Sequence, residues 1–137
     1  MLPPELIQSL GWSSSTSSMQ LMPPGFSGAS VYKVALSSGD QYAVKRLPKS
    51  ANPVRIAQIH SVLDRLTCGG IEGLPTLQRF QDGSTCLSLG NSLWEVTTWL
   101  GGTPLSADAE VSLVAKGAGA IGRFHKASVH LLGHACL

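Results

Sequence analysis

The chain has 137 residues, of which 43% are hydrophobic and 13% are charged. This length suits one ordinary domain, and the composition is that of a globular protein rather than of a disordered tail. The net charge is +2 and no block of like charge occurs, which excludes a nucleic-acid binder. No apolar run reaches the ~20 residues of a membrane-spanning helix, so we expect no membrane partner.

The cysteines and the first residues indicate the compartment. Cys68, Cys86 and Cys136 form an odd set without a Cys-x-x-Cys motif, which favours free thiols over a disulfide framework. Residues 1–11 lack the basic start of a signal peptide. We therefore expect a cytoplasmic protein.

The first elements predicted are a short helix, a loop and a hairpin. A short apolar start ends at Trp12, and the Ser/Thr-rich segment Ser13–Ser18 that follows it is typical of a loop. Val31–Leu36 and Gln41–Leu47 have the composition of strands and flank a Ser-Ser-Gly-Asp turn. Together they predict an antiparallel hairpin.

A helix is predicted after the hairpin. Asn52 followed by Pro53 is typical of an N-cap and a first helical residue, and the helix should end near Gly69 and Gly70. Its apolar residues recur at spacings of three and four and are expected to lie on the sheet: Ile56, Ile59, Leu63 and Leu66.

The second half predicts three strands and a final helix. The strands cover Thr76–Gln81, Ser84–Leu89 and Leu93–Leu100 and are joined by tight turns. Ser106 can cap the final helix. The helical spacing of its apolar residues predicts a buried seam: Ala107, Val111, Val114, Ala118, Ile121 and His125. Close packing against another helix would explain the glycines at positions 117–122.

Two segments have the residue types of a phosphate-binding site. The loop Pro24–Val31 contains small residues whose backbone N–H groups could cradle a polyanion, and a plain structural turn is the alternative. On the strand Tyr42–Lys45, Ala43 and Lys45 share a face because side chains alternate. A small apolar residue beside a lysine suits a base and its phosphate, and a solvated edge-strand lysine is the alternative.

The histidines near the end give a weaker signal. His130 and His134 lie one helical turn apart, and Cys136 is the one clear candidate for a third ligand. We therefore predict no metal site. His125 falls on the apolar seam and is expected to be a packed core histidine.

The order of these segments resembles the N-terminal lobe of the aminoglycoside phosphotransferase and choline-kinase-like family, distant relatives of the protein kinases. The segments that carry the resemblance are Gly25–Val34, Ala43–Arg46, Leu93–Gly102 and Ile121–His125. The resemblance implies an α+β fold in which a five-stranded antiparallel sheet with one packed helix is followed by a C-terminal helix. Residues 1–103 would form the kinase-like ATP-binding lobe, and residues 104–137 a linker and the first helix of a truncated C-terminal lobe.

The resemblance also implies roles for individual residues. Lys45 would pair with the α- and β-phosphates of ATP, and Ala43 would cover the adenine. The other nucleotide-binding residues would be the phosphate loop, Ser27, Gly28 and Ala29, and the hinge that reads the adenine edge, Thr98, Trp99 and Leu100. Kinase-like lobes hold the lysine with a helix glutamate, which the helix here lacks. Gln58 or His60 lies nearest to its place, and we expect either to orient Lys45 without a full ion pair.

The residues that transfer the phosphoryl group in this family belong to the second lobe, which also supplies the Mg²⁺ ligand. After Glu110 the last 27 residues contain no Asp, Glu or Asn, so we predict no catalytic residue and no metal ligand there. The implied function is the ATP-binding lobe of a small-molecule phosphotransferase, inactive by itself. The alternative is a non-catalytic interaction module, and an exposed final helix would favour self-association.

Overall fold

The computed structural model describes the backbone of residues 1–135 and the side chains of residues 1–131. The elements follow in the order α1 (Pro4–Ser9), β1 (Thr16–Leu21), β2 (Ser30–Leu36), β3 (Gln41–Arg46), α2 (Pro53–Cys68), β4 (Leu87–Leu89), β5 (Ser92–Thr98) and α3 (Val111–Ala135).

The strands form one five-stranded antiparallel sheet in the order β1-β2-β3-β5-β4. The predicted α+β fold class is therefore confirmed, but three segments of the sheet differ from the prediction. The segment Ser13–Ser18, predicted as a loop, contains the start of β1, an edge strand that is almost entirely exposed. A strand with no buried face shows no alternation of apolar and polar residues, so its composition resembles that of a loop.

The predicted strand Thr76–Gln81 is reduced to a single bridge between Leu77 and Thr97. The edge of β5 that faces away from β3 has two partners. Residues 76–78 bond to the end of β5, and β4 pairs with its start. Each segment therefore covers only part of β5. The predicted strand Ser84–Leu89 is likewise shortened to Leu87–Leu89.

One face of the sheet forms the core. Val34, Val44 and Val96 on the three central strands are fully buried, and Leu6 of α1 belongs to the same cluster. Burying each such side chain contributes about 1.5–3 kcal/mol. Side chains alternate along a strand. Ala43 and Lys45, which are the neighbours of Val44 in β3, therefore lie on the opposite face.

The N-terminus of α2 follows the prediction, but its apolar stripe does not. The Asn52 side-chain oxygen accepts hydrogen bonds from the N–H groups of Val54 and Arg55, at 2.9 and 3.3 Å. Leu66 is fully buried, but Ile59 is 49% exposed, so the expectation that the whole stripe lies on the sheet is wrong. The buried polar residue of the helix is His60.

The start and the seam of α3 also differ from the prediction. The Ser106 carbonyl accepts a hydrogen bond from the Ala109 N–H in a turn, and the helix begins later, at Val111. The seam predicted as buried is exposed: Ala107, Val111, Val114, Ala118, Ile121 and His125. The expected packing of His125 in a core is therefore wrong. Nothing in the described part of the chain lies within 4 Å of a Cβ placed on Gly117 or Gly122, so no neighbouring helix explains these glycines.

The C-terminal half of α3 faces α2, and Phe124 lines a groove with α2 residues that include Ile59 and Leu63. Among residues 1–135, no helix is long and apolar enough to cross a membrane.

Candidate functional site

The register of the three central strands sets out the face that carries Lys45. Lys45 is paired with Val31 of β2 on one side and with Glu95 of β5 on the other. In the next row, Ala43 lies between Lys33 and Thr97. Ala43 and Lys45 therefore share a face, as the alternation predicts.

Lys45 forms an ion pair with Glu95. The ammonium lies 3.3 Å from Glu95 Oε1, and the two side chains are 33% and 13% exposed. Burial opposes ionisation of Glu95, but the hydrogen bond from His60 and the charge of Lys45 outweigh it and lower the pKa of this carboxyl below its usual value. The pair therefore consists of a carboxylate and an ammonium at neutral pH.

His60 of α2 holds the second oxygen of Glu95. Its Nε2 lies 2.7 Å from Glu95 Oε2, and its Nδ1 lies 2.8 Å from the hydroxyl of Thr85. Since an ionised carboxylate only accepts hydrogen bonds, the proton of this contact is on Nε2. The side chain is 5% exposed, and both of its nitrogens have partners inside the protein.

This arrangement corrects the predicted partner of Lys45. His60 reaches Glu95 rather than the lysine, Gln58 lines the groove between α2 and α3, and Lys45 does have a full ion pair. Glu95 was not predicted from the sequence because kinase-like lobes place this carboxylate on the helix, whereas here it lies on β5. The signal for Glu95 in the sequence is that it is a single acidic residue between the apolar Trp94 and Val96 in a predicted strand. The structure shows that this strand is paired with the one that carries Lys45.

The predicted phosphate loop leads directly into β2. Ser27 and Gly28 are exposed, and Gly28 has a φ of +74°, a left-handed conformation that glycine adopts without strain. The hydroxyl of Ser27 accepts a weak hydrogen bond, at 3.4 Å, from the N–H of Ala29. Because Val31 is the cross-strand neighbour of Lys45, the end of the loop lies close to the lysine.

The predicted hinge begins at Thr98, the last residue of β5. The N–H groups of Thr98 and Trp99 donate to the carbonyls of Thr76 and Gln41, both at 2.9 Å. Within the described part of the chain, Leu100 is the hinge residue whose N–H stays unbonded, and its side chain is 49% exposed. Two of the three amides are therefore used by the fold and are not available to a ligand.

The cysteines and C-terminal histidines add no metal centre within the described residues, where no group of three His, Cys, Asp or Glu side chains is placed to hold an ion. Cys68 and Cys86 are free thiols. Burial raises the pKa of the Cys86 thiol, and the charge of Glu95 raises it further. The side chain of His134 and all of Cys136 lie outside the described residues.

No protein-family model and no curated protein matches the chain. Solved structures do match it. One is an aminoglycoside phosphotransferase from Alicyclobacillus acidocaldarius, with a TM-score of 0.59 and 18% sequence identity over 77% of this chain and 29% of that protein. Another is a spectinomycin phosphotransferase in complex with ADP and spectinomycin, with a TM-score of 0.56 and 16% identity over 73% of this chain and 30% of that protein.

These similarities confirm the predicted resemblance at the level of the fold. The chain spans less than a third of the length of either neighbour, and the identities are too low to transfer an activity from a shared fold. The sheet and α2 match a kinase-like N-terminal lobe, and a C-terminal helix follows them. The chain thus has the kinase-like fold of the aminoglycoside phosphotransferases.

Proposed function

We propose that this chain is the ATP-binding lobe of a kinase-like phosphotransferase that acts on a small molecule. The observation that carries the proposal is the Lys45–Glu95 ion pair, which lies beside the end of a glycine-containing loop in a chain with this fold. A lysine fixed by a carboxylate is the device by which kinase-like lobes position ATP phosphates. The lysine remains one-third exposed, so its ammonium can reach a ligand.

The nucleotide would bind on the Lys45 face of the sheet. Lys45 would contact the α- and β-phosphates, and the loop residues Ser27, Gly28 and Ala29 would cover them with backbone N–H groups. Of the hinge residues Thr98, Trp99 and Leu100, Leu100 has the free amide that could donate to the adenine edge. Ala43 is only 7% exposed, so it would lie over the base after side chains on this face of the sheet move aside. The ADP bound by the spectinomycin phosphotransferase supports a nucleotide as the ligand.

Phosphoryl transfer would require residues that this chain does not contain. The segment after Glu110 has no carboxylate or Asn side chain that could bind Mg²⁺ or activate a hydroxyl. We therefore expect the chain to bind nucleotide without transferring phosphate, with the acceptor bound elsewhere in a longer parent protein. The odd cysteine set supports a cytoplasmic location.

Thermal denaturation with and without ATP tests the proposal. A ligand present at 100 times its Kd stabilises the folded state by about 2.7 kcal/mol. We expect ATP to raise the Tm of the wild-type protein and to leave Lys45→Met almost unchanged. Lys116→Met, which removes an exposed lysine of α3, is the matched control and should respond like the wild type. No response of the wild-type protein to ATP would overturn the proposal.

That negative result would favour the alternative, a non-catalytic interaction module. One observation supports it: α3 exposes large apolar side chains, with Val111 84% and Ile121 59% exposed. Exposed apolar surface of this kind is typical of an interaction site. We also propose that the exposed face of α3 formed by Val111, Val114, Ala118 and Ile121 mediates self-association.

A further inference from the structure

The helix α2 reaches the lysine ion pair through an imidazole. His60 holds Glu95 Oε2 at 2.7 Å, while Lys45 lies 3.3 Å from Glu95 Oε1. One carboxylate is therefore shared between an ammonium and an imidazole, and histidine is the residue type that most often changes charge between pH 5 and 8.

Both protonation states of His60 fit the same geometry. A neutral imidazole with its proton on Nε2 has a free Nδ1 lone pair, which the Thr85 hydroxyl can fill by donating its proton. In the imidazolium, Nδ1–H donates to the same hydroxyl oxygen, 2.8 Å away. The contacts with Thr85 and Glu95 therefore persist, and the net charge of the cluster is what changes.

The charge balance gives the direction of the effect. With neutral His60, the carboxylate of Glu95 cancels the charge of Lys45. With protonated His60, the same carboxylate is shared by two cations, and the cluster carries a net charge of +1. The carboxyl of Glu95 stays ionised through this range, because its pKa is lowered.

The other groups near His60 do not cancel this change. On α2, Asp64 lies one turn further along and is paired with Arg79 at 2.8 Å. On the segment before β4, Cys86 has a pKa raised by burial and by the charge of Glu95, so its thiol is neutral at acidic and neutral pH. Of these groups, His60 is therefore the one whose protonation would change the charge of the cluster.

From this geometry we infer that His60 is a positioning residue for Lys45 and that its protonation strengthens the binding of nucleotide phosphates. The inference rests on the proposed function. A polyphosphate binds better to a cluster of net charge +1 than to a neutral one. By linkage, a bound nucleotide must favour the imidazolium to the same extent, so binding takes up a proton.

Calorimetric titration of the whole chain with ADP at about pH 8 and about pH 5.5 tests the inference. We expect the ratio of the affinity at the lower pH to that at the higher pH to be at least roughly fivefold larger for the wild type than for His60→Gln, the small end of typical coupling between two sites. His60→Gln keeps a side-chain donor for Glu95 but cannot be protonated, and it should bind ADP with a smaller pH dependence. His125→Gln, which removes an exposed histidine of α3, should behave like the wild type. Protonation of ADP itself is common to all variants and cancels in the comparison.

A measurement on the wild-type protein covers the case in which His60→Gln does not fold. The imidazole NMR signals of His60 are followed through a pH titration with and without ADP, and we expect ADP to shift the midpoint to higher pH. An unshifted midpoint overturns the inference, as does an equal pH dependence in His60→Gln and wild type. Binding of ADP at neither pH overturns the proposed function, and the inference falls with it.

Discussion

The ammonium of Lys33 lies 4.9 Å from the centre of the Trp99 ring, although the two residues belong to opposite sides of β3. Lys33 of β2 is paired with Ala43 of β3. On the other side of β3, the backbone N–H of Trp99 donates to the carbonyl of Gln41, the first residue of that strand. The contact between Lys33 and Trp99 therefore crosses β3 on the face of the sheet that carries Ala43. Ala43, the predicted cover of the adenine, lies on the same face and is only 7% exposed.

Replacing Lys33 with Met should remove the cation–π contact while keeping an unbranched apolar side chain over Ala43. Because such contacts contribute about 0.5–1 kcal/mol at partly exposed sites, we expect a loss of unfolding free energy of that size in urea denaturation. Lys49→Met is the control and should change stability less. Equal stabilities of the two variants would show that the Lys33–Trp99 contact contributes nothing.

Replacing Glu95 with Gln should lower stability at neutral pH, because it removes the carboxylate that Lys45 and His60 share. Gln keeps an acceptor oxygen but loses the negative charge, and hydrogen bonds to a charged group contribute about 1.5–3 kcal/mol. The effect also has a pH signature. Since the pKa of Glu95 is lowered in the folded state, its ionised form contributes stability above the unfolded pKa, and this contribution disappears as the pH falls through the folded pKa.

Urea denaturation at several values between about pH 5 and about pH 3 measures this signature, a range that brackets the ordinary Glu pKa of about 4.3. The stability of the wild-type protein should fall more steeply than that of Glu95→Gln. Asp82, whose pKa is lowered by hydrogen bonds from Ser84, is present in both proteins and cancels in the difference. Parallel curves would contradict the lowered pKa of Glu95.

Replacing Asn52 with Ala should destabilise α2 by removing the acceptor for two N-terminal N–H groups. Loss of an N-cap costs about 1 kcal/mol, which for a chain of this size lowers the Tm by about 4 °C. Asn52→Asp should retain most of the stability, because its carboxylate accepts the same bonds. Ser50→Ala, at an exposed position just before the helix, controls for local changes in sequence.

The exposed face of α3 should cause the protein to self-associate. We expect sedimentation velocity to show species larger than a monomer that increase with concentration, and Ile121→Glu to reduce them by placing a charge on the apolar face. Lys116→Glu changes the charge of the same helix at another exposed position and should have a smaller effect. A wild-type chain that stays monomeric at all concentrations would contradict the assignment of this face.

The sequence predicted the elements whose signals are local. The hairpin of β2 and β3 and the cap at Asn52 follow from short-range turn and helix-end chemistry, which acts in any context. The strand β1 and the exposed seam of α3 could not be predicted in this way. The first depends on pairing with β2 at an exposed edge, and the second depends on whether another part of a protein covers the helix.

In the candidate site, too, the local features were predictable from the sequence and the long-range contacts were not. Alternation along β3 was enough to place Ala43 and Lys45 on one face, because the side-chain period of a strand is a local property. The partner of Lys45 required the register of β3 against β5, and the role of His60 required the position of α2 relative to that pair. These interactions join residues 35 or more positions apart. The tertiary structure alone decides them, because nothing in a short stretch of chain fixes which distant charge a buried carboxylate will meet.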